Sequence, residues 1–502
     1  MNVSYNDGVI NDYHNAHARK TCSNLSINID YNLSELTENR ISEEKVLIAS
    51  KIDFDHIFRA YDIRGIFGED LTEEVAGKIG AAFAKFLDGK TVVVGRDVRI
   101  SGEQLRDALV SGLVSRCNVT DVGVLPTPLL YFAINILKMD AGIMVTASHN
   151  PPKWNGFKAF RGQKGSIYGK DMETIKHYAK KVDPKALGKS SGKTARHEGI
   201  ISEYQDFVQS KIHFERKLNV VADTANGTCG LVAPVLFERM GCNILTLNKE
   251  PDGTFPAHLP VPNAETLGEL MNEVVKRKAD FGVGYDGDGD RAVFIDEKGN
   301  LIPGDLTLLI FAKDILQKQP GGKVIYELSC SMAVEEYVKK LGGIPIVERV
   351  GHTFIMDKMI EEKALLGGEK SSHFYFADVY GMDDGVFASM KLAEILSKTD
   401  EKLSEMVAAL PQYQSVYEEN FKCSDKKKFV VIEKVRSQFK EHGLKTLDID
   451  GVKLIEKDGW VILRASNTEP VIRISAEART EKKLKELYDF ALKELNKALI
   501  GD

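Results

Sequence analysis

The chain has 502 residues, of which 43% are hydrophobic and 28% are charged, with a formal net charge of −6 and a pI of about 6.1. A weakly acidic chain argues against nucleic acid as a partner, because phosphate backbones recruit basic surfaces. No apolar run reaches membrane-span length, and the first residues lack the basic-then-apolar pattern of a secretory signal. We therefore expect no membrane partner and a cytoplasmic location.

The predicted elements divide the chain into five parts, in line with about three or four domains for this length. Residues 1–50 are rich in Asn and Ser and lack aliphatic periodicity, which predicts a flexible extension of unassigned role. Residues 51–195, 196–300 and 301–412 each alternate β-branched runs with helical patterns, the βαβ signature of a mostly parallel sheet. Residues 413–502 change to strand-like pairs and a final helix. We expect three similar α/β domains with mixed, mostly parallel sheets, plus a C-terminal α+β domain, around a central cleft.

Individual helices are predicted from their periodicity and their first residues. Ser101 followed three residues later by Gln104 resembles a capping box, which predicts a helix over 101–117. Helical patterns also cover 229–240 and 264–277. These helices alternate with the strand-like runs of the first two α/β domains.

Each α/β domain contains a strand that leads into a polar loop, at 146–152, 286–291 and 368–373. Ligands of open α/β sheets bind outside the carboxyl ends of the strands. We therefore expect the three loops to line one shared cleft. The last domain carries a fourth polar loop at 465–470.

The loop at 286–291 has the residue pattern of a cation site. Asp286, Asp288 and Asp290 alternate with glycines that let the backbone bend tightly, so the carboxylates can converge on one hard cation. A surface turn explains the pattern poorly, because three unpaired carboxylates would repel one another. An EF-hand fits Glu297 at its twelfth position but not Arg291 at its sixth, where that loop needs glycine. Magnesium is preferred, because it takes few carboxylates and completes its shell with water or phosphate oxygens.

The loop at 146–152 places Ser148 just after a buried strand. A serine before Asn-Pro can be a simple turn former, and in isolation that interpretation would be favoured. A hydrolase serine is not expected, because the Gly-x-Ser-x-Gly pattern is missing. A phosphorylated Ser148 would supply the oxygen ligand that the three aspartates lack. The two loops therefore support one interpretation, a phosphorylated serine beside a cation site.

The two remaining loops have polar patterns that suit a phosphorylated sugar. Glu369, Ser371 and His373 stand at alternate positions, a spacing that suits vicinal hydroxyl groups. Hydroxyl and amide side chains between Arg464 and Arg473 can bind a phosphate group. Taken alone, an exposed polar loop would be the favoured interpretation at 368–373, and a solvated turn would explain 465–470 about as well.

The four loops, together with Phe-Arg-Ala-Tyr-Asp-Ile-Arg-Gly at 58–65, closely resemble the α-D-phosphohexomutases, most nearly their phosphomannomutase/phosphoglucomutase branch. The resemblance runs from about residue 54 to the C-terminus. It implies reversible transfer of a phosphoryl group between O1 and O6 of a mannose or glucose phosphate. The implied route uses a phosphoserine, Mg²⁺ and a hexose 1,6-bisphosphate that is both intermediate and activator. Hexose phosphates are the implied partners, and the chain is expected to be a monomer or homodimer.

The resemblance also implies roles for individual residues. The implied metal ligands are Asp286, Asp288, Asp290 and the phosphorylated Ser148. The residues implied to neutralise charge or to move protons on the transferring group are Arg291, Lys158, His149, His352 and Arg64. The residues implied to bind the sugar hydroxyls are Glu369, Ser371 and His373, with Tyr61 nearby. The non-transferring phosphate is assigned to what we call the phosphate cradle: Arg464, Ser466, Asn467, Thr468 and Arg473. A surface lysine at 158 and a helix-capping residue at 352 remain alternatives.

Other functions are weighed against this one. A phosphoglucosamine mutase of the same superfamily is disfavoured, because that branch usually carries glycine where Asn467 stands. A non-catalytic phosphosugar-binding protein should have lost the nucleophile or a metal ligand, and none is lost here. A magnesium-dependent phosphatase would release phosphate faster than it isomerises the sugar. Lys370 and Ser372 replace the usual Met and Gly of the sugar loop, so the preferred hexose stays open.

Overall fold

The structure is a computed structural model that describes residues 53–162, 165–183, 191–466 and 470–500. The extension expected at 1–50 lies outside the described residues. So do Asn467 and Thr468 of the phosphate cradle.

The first α/β segment is built on strands that run in the order β1-β5-β4-β2-β3-β6. Neighbours among β2, β3, β4 and β6 pair in parallel, whereas β5 is antiparallel to both β4 and β1. Every residue of β4 is buried, as expected of a strand covered on both faces. The strands are β1 (Ile63–Ile66), β2 (Thr91–Arg96), β3 (Asn118–Val124), β4 (Ala141–Val145), β5 (Trp154–Phe160) and β6 (Thr194–Arg196). The helices are α1 (Phe54–Ile57), α2 (Glu73–Leu87), α3 (Gly102–Leu113), α4 (Thr127–Ile136), α5 (Lys170–Ala179) and α6 (Ile200–Lys211).

The second segment repeats this design with the strand order β11-β10-β9-β7-β8. Strand β7 pairs in parallel with β8, the edge strand, and with β9, and β9 pairs antiparallel with β10. The turn between β9 and β10 contains the loop at 286–291. The elements are β7 (Asn219–Asp223), α7 (Ala233–Arg239), β8 (Asn243–Leu247), α8 (Gly268–Arg277), β9 (Phe281–Tyr285), β10 (Ala292–Ile295) and β11 (Leu301–Ile302).

The third segment has the strand order β13-β12-β14-β15. The first three strands of this order are parallel, and β15 is antiparallel to β14. The loop at 368–373 connects β14 to β15. The elements are α9 (Gly304–Lys318), β12 (Lys323–Glu327), α10 (Met332–Lys340), β13 (Ile344–Glu348), α11 (His352–Glu362), β14 (Leu366–Gly368), β15 (Phe374–Phe376), α12 (Gly385–Ser397) and α13 (Leu403–Ala408).

The C-terminal segment is an antiparallel sheet covered by two long helices. Its strand order is β16-β20-β19-β18-β17, and it has a hydrophobic core of its own that includes Val435, Phe439, Leu463 and Ile474. A separate, larger core runs through the three α/β segments. The elements are β16 (Gln414–Lys422), α14 (Asp425–Glu441), β17 (Thr446–Leu447), β18 (Val452–Glu456), β19 (Gly459–Ala465), β20 (Val471–Ala478) and α15 (Glu481–Ile500). The expected fold class is confirmed.

The predicted helix starts differ from the structure for local reasons. The capping box is wrong: Ser101 has helical backbone angles and makes no cap hydrogen bond, and its Oγ accepts from Asn155 Nδ2 at 2.9 Å. The helix predicted over 229–240 is divided into a 3₁₀ helix at Thr228–Leu231 and the α-helix α7, because Pro234 is tolerated in a first turn but not in a helix interior. The helix predicted over 264–277 starts at α8, because Asn263 Oδ1 accepts from the next backbone N–H groups and holds a turn.

Across the described ranges, we find no helix with the length and apolar character needed to cross a bilayer.

Candidate active site

Ser148 stands at the tip of the loop that follows β4. Its φ is +50°, a left-handed conformation that serine adopts at a cost of roughly 1 kcal/mol or more. Its backbone N–H donates to Thr146 Oγ1 at 2.9 Å. Its hydroxyl donates to Asp286 Oδ2 at 2.9 Å and lies 3.3 Å from His149 Nδ1. The strained loop therefore directs the hydroxyl of the first segment at the aspartate loop of the second.

Arg99 holds the serine loop from beneath and was not predicted from the sequence. Its fully buried guanidinium donates to the carbonyl oxygens of Ser148, Asn150 and Trp154 at 2.7, 2.6 and 2.9 Å, and to the Asp97 carboxylate at 3.0 Å. A buried Arg with this many backbone acceptors fixes the path of the chain. The available sequence signal was a charged cluster just after β2, at the same sheet edge as Ser148.

The three aspartates between β9 and β10 converge as predicted. Asp286, Asp288 and Asp290 are buried, and their ligand atoms lie within 4.8 Å of one another. Burial and the neighbouring carboxylates raise the pKa of Asp286 well above its ordinary value. One oxygen of Asp288 and one of Asp290, the Oδ1 atom in each, have no hydrogen-bond partner among the described residues. Buried hard oxygen donors with unused lone pairs fit a divalent cation.

The glycine between the first two aspartates is needed for the contact between the loops. A Cβ on Gly287 would lie 2.8 Å from the carbonyl oxygen of Ser148, which is closer than side-chain carbons approach backbone atoms. The alternation of Asp and Gly therefore serves two purposes. It gathers the carboxylates, and it lets the serine loop lie directly against them.

Lys158 connects the same two segments by its charge. It lies on β5, and its ammonium donates to Asp288 Oδ2 at 2.8 Å and Asp290 Oδ2 at 2.6 Å. Burial acts to lower the pKa of Lys158, but the two carboxylates outweigh burial and raise it above its ordinary value. The alternative of a surface lysine is wrong, because this side chain is only 4% exposed.

Arg291, His373 and Asp383 form a chain of hydrogen bonds. Arg291 Nε donates to His373 Nε2 at 2.8 Å, and His373 Nδ1 lies 2.8 Å from Asp383 Oδ2. Because Nε2 accepts, the geometry assigns the ring proton to Nδ1. Both ring nitrogens are thus engaged, and His373 orients Arg291. Asp383 was not predicted, since only the fold brings it to the imidazole.

Arg64 lies on β1, beside the serine loop. Its Nε donates to Asp62 Oδ2 at 2.7 Å, and its Nη1 donates to Asn150 Oδ1 at 2.6 Å. These bonds hold the guanidinium at the wall of the cavity that contains Ser148.

Of the two histidines predicted to act on the transferring group, His352 is buried and His149 is partly buried, and both line the cavity. His352 is the first residue of α11, and Gly351 takes the capping position, so the capping alternative for His352 is wrong. Its ring stacks on His373 at 5.8 Å, and Tyr61 meets it edge-on at 5.2 Å. Burial lowers the pKa of His352 to about 4. Burial, with the positive charge of Arg291 and then Arg64, lowers the pKa of His149 well below its ordinary value.

The sugar loop contributes a buried acid and an exposed hydroxyl. Glu369 accepts a hydrogen bond from Tyr375 Oη at 2.5 Å, and burial raises the pKa of Glu369. Ser371 is exposed at the cavity surface. Lys370, unusual at its position, lies over the Tyr417 ring at 4.3 Å and does not line the cavity.

The described residues of the phosphate cradle face the same cavity. Arg464 lies at the end of β19, Ser466 is buried just after it, and Arg473 lies on β20. A residue that the sequence did not single out, Glu418, contacts both arginines.

One cavity of about 650 Å³ collects residues from all four segments. The predicted residues that line it are Tyr61, Arg64, Ser148, His149, Lys158, Asp290, Arg291, His352, Glu369, Ser371, His373, Arg464, Ser466 and Arg473. Asp286 and Asp288 lie beneath its surface, in contact with Ser148 and Lys158 respectively. Lining residues that were not predicted include Asp62, Trp154, Glu327, Ser329, Tyr417 and Glu418.

Models of one protein family match the chain in four consecutive pieces. The phosphoglucomutase/phosphomannomutase alpha/beta/alpha domains I, II and III match residues 55–186, 202–299 and 303–413, and the C-terminal domain of that family matches 418–494. The matches follow the order of the segments seen in the structure.

Individual relatives agree with the family models. The phosphoglucomutase/phosphomannomutase of Thermococcus kodakarensis is 38% identical over 89% of this chain and 99% of its own. A Methanopyrus kandleri protein named as a phosphoglucosamine mutase is 35% identical over 86% of this chain and 96% of its own. The crystal structure of a phosphoglucomutase/phosphomannomutase family protein from Burkholderia thailandensis superposes with a TM-score of 0.83 at 33% identity, covering 90% of this chain and 99% of that one. The chain belongs to the phosphoglucomutase/phosphomannomutase family, whose members are phosphohexomutase enzymes.

Proposed function

We propose that this enzyme moves a phosphoryl group reversibly between O1 and O6 of a mannose or glucose phosphate, through Ser148 and a hexose 1,6-bisphosphate. The observation that carries the proposal is the contact between Ser148 Oγ and Asp286 Oδ2 at 2.9 Å, at the wall of a cavity large enough for a hexose bisphosphate. A simple turn-forming serine would not need a buried aspartate cluster beside it.

The proposed cycle begins with a phosphoryl group on Ser148. The free hydroxyl of the hexose monophosphate attacks the phosphorus, the bond from phosphorus to Ser148 Oγ breaks, and the hydroxyl proton passes to a base of the site. The bisphosphate then turns around. Ser148 Oγ attacks the other phosphoryl group, the bond from that phosphorus to the hexose oxygen breaks, and the hexose oxygen takes up a proton from the site. This step restores the serine ester and releases the isomeric monophosphate.

Asp286, Asp288, Asp290 and the phosphoryl oxygens on Ser148 would hold the metal, for which we propose Mg²⁺. The unpartnered oxygens of Asp288 and Asp290 support this assignment, and magnesium commonly uses few carboxylates together with phosphate oxygens. When bound, the cation supplies positive charge against the charge that develops on the transferred group.

The chain's own residues supply the remaining tasks. Arg291, oriented by His373 at the cavity wall, would add positive charge beside the transferred group. Electrostatic stabilisation of this kind is a main source of rate in phosphoryl transfer. His149 Nδ1 lies 3.3 Å from Ser148 Oγ, and Lys158, His352 and Arg64 line the same cavity. We propose these four residues for moving protons or polarising oxygens of the transferring group.

For substrate binding, we propose Glu369 and Ser371 as contacts of the sugar hydroxyls, with Tyr61 and His373 beside them. The phosphate cradle, including Asn467 and Thr468, is proposed for the phosphate that is not being transferred. Because residues from all four segments surround one cavity, a bound substrate would displace much of its water, which protects the serine ester from hydrolysis.

Coupled assays with glucose 1-phosphate, mannose 1-phosphate and glucosamine 6-phosphate, each with a hexose 1,6-bisphosphate activator, test the proposal. We expect turnover of the glucose or mannose ester, with little release of free phosphate. Dominant turnover of the glucosamine ester would assign the chain to the phosphoglucosamine branch, to which the Methanopyrus kandleri name points. Phosphate release that outpaces isomerisation would assign a phosphatase.

The nucleophile is tested separately by mass and by mutation. Protein purified without phosphatase should show a mass fraction that is heavier by one phosphoryl group, mapping to Ser148. Ser148→Ala should lose this fraction and nearly all transfer while it keeps the wild-type melting temperature within about 3 °C, because the side chain makes few contacts. A wild-type phosphoryl group on another residue would contradict the assignment.

A further inference from the structure

Glu418 projects into the cavity because of an irregularity in β16. In the pairing of β16 with β20, Val416 faces Ala476 and Glu419 faces Ile474, so the outer strand carries an extra residue there. Such a bulge re-aims the side chain next to it. Glu418 has a φ of +48°, and its backbone N–H donates to Ser475 Oγ at 3.0 Å. A strained non-glycine conformation at a ligand cavity is a sign of function rather than of folding need.

The Glu418 carboxylate contacts the guanidinium groups of the phosphate cradle. Arg473 Nη1 donates to both Glu418 oxygens, at 3.1 and 3.0 Å, and Arg464 Nη1 lies 3.5 Å from Oε1. Arg464 also lies 3.3 Å from Asp450 Oδ2. Two guanidinium cations are thus matched by two carboxylates of the same domain. Glu418 is the more exposed of these acids, at 25% of its side chain against 9% for Asp450.

We propose that Glu418 is an internal competitor of the substrate, whose carboxylate occupies the arginines of the phosphate cradle and is displaced when a sugar phosphate binds. A carboxylate and a phosphate use the same donors of an arginine, so both cannot take the same N–H groups at once. A phosphate dianion, with more charge and more acceptor oxygens, wins this exchange when the rest of the substrate is also bound. Asp450 stays in place because it is more deeply buried.

This competition serves the turnaround of the bisphosphate, a consequence that rests on the proposed function. The intermediate must release one phosphate from the cradle and offer the other to it without leaving the cavity. The return of Glu418 to Arg473 replaces the departing phosphate, so this guanidinium regains a carboxylate acceptor during the exchange. A cradle without this competitor would hold each phosphate longer.

Binding of inorganic phosphate tests the inference without any turnover. Isothermal titration of wild type and Glu418→Gln should show phosphate binding about tenfold tighter to the variant, because the competing charge is gone but the side-chain shape is kept. Glu418→Asp, whose shorter side chain retains the charge, should fall between the two. Glu419→Gln is the matched control: Glu419 is the next residue, is exposed, and contacts Tyr488 outside the cavity. Equal dissociation constants for wild type and Glu418→Gln, or no measurable binding to Glu418→Gln, would overturn the proposal.

Kinetics separate this inference from the proposed function. With the preferred hexose phosphate, Glu418→Gln should lower KM and kcat together by about three- to tenfold, because the phosphate is held more tightly at every stage. A raised KM in this variant would show that Glu418 aids binding and would refute the inference. If the wild type showed no mutase activity, the proposed function would fail, and the phosphate titration would still decide whether Glu418 competes for the cradle.

Discussion

Replacing Lys158 with methionine should expose how the charges between the first two segments are balanced. Lys158 contacts Asp288 and Asp290, and all three side chains are nearly inaccessible to solvent. After the change, Asp288 keeps hydrogen bonds from Thr127 Oγ1 at 2.6 Å and Thr146 Oγ1 at 3.3 Å. Asp290 loses the ammonium that its Oδ2 contacts, and its Oδ1 already has no partner among the described residues. The main cost therefore falls on Asp290.

The size of the effect follows from the burial of the pair. Removing one partner of a buried ion pair costs roughly 3–5 kcal/mol, and the hydrogen bonds kept by Asp288 favour the lower end. For a cooperative unit of about 150–250 residues, each kcal/mol lowers the melting temperature by roughly 2–4 °C, so a fall of about 6–12 °C is expected without metal. A divalent cation at about a thousandfold its dissociation constant returns about 4 kcal/mol. It should therefore rescue the Lys158→Met variant more than it stabilises the wild type, in which Lys158 already balances the carboxylates.

Thermal melts in EDTA and in MgCl₂ measure both effects without reference to catalysis. Lys153→Met, at an exposed lysine just before β5, is the matched control and should melt like the wild type in both buffers. Isothermal titration should show tighter Mg²⁺ binding to Lys158→Met, because a competing cation has been removed. An unchanged melting temperature in EDTA, or equal magnesium shifts in variant and wild type, would refute this account of the charge balance.

Two further changes test the positioning of Arg291 and the cost of a buried lysine. In Asp383→Asn, the amide N–H can turn toward His373 Nδ1 and favour the tautomer with its proton on Nε2, which then opposes the Nε–H of Arg291. We expect kcat to fall by about 10–100-fold with KM nearly unchanged. An unchanged kcat would contradict the positioning role. Burial lowers the pKa of Lys453 from 10.5 to about 8. At pH 7 the buried ammonium is charged, which lowers the free energy of unfolding, and this penalty disappears as the pH rises from about 8 to 10.5. Lys453→Met should therefore raise the stability at pH 7 by about 1–2 kcal/mol, after loss of its hydrogen bond to Leu328 O, and a gain that did not shrink in melts at pH 10 would contradict this sign.

The order of elements was predictable where hydrophobic periodicity is strong. The helix predicted over 101–117 was recognised close to its observed bounds, as α3 at Gly102–Leu113. The antiparallel strands β1 and β5 were not, because glycine, asparagine and charged residues interrupt their apolar pattern. The bulge in β16 was also out of reach, since nothing near Glu418 in the sequence marks a positive φ.

The site was predictable to the extent that its residues lie in loops at strand ends. Ser148 and the aspartates meet because parallel strands bring their carboxyl ends to the same edge of neighbouring sheets. Residues that act through tertiary contacts, such as Arg99 and Asp383, carry no local pattern. His373 shows the limit most clearly: its spacing predicted a contact with sugar, whereas its bonds to Asp383 and Arg291 give it an orienting task that only coordinates reveal.

The C-terminal segment is the part of the molecule best suited to open and close the cavity. Its hydrophobic core is separate from the core of the other segments, and only a small cluster around Leu328, Trp460 and Ile462 joins the two across described residues. Polar contacts add to this interface, for example the hydrogen bond that Lys453 Nζ donates to Leu328 O at 2.6 Å. Separating the C-terminal segment from the third segment exposes little apolar surface. The free-energy cost is therefore small compared with the cost of breaking the buried ion pairs of Lys158 between the first two segments. The contacts of Ser148 and Lys158 with the three aspartates thus hold the first two segments together more firmly than the C-terminal segment is held. Under the proposed function, movement of the C-terminal segment would admit a sugar phosphate and let the bisphosphate turn.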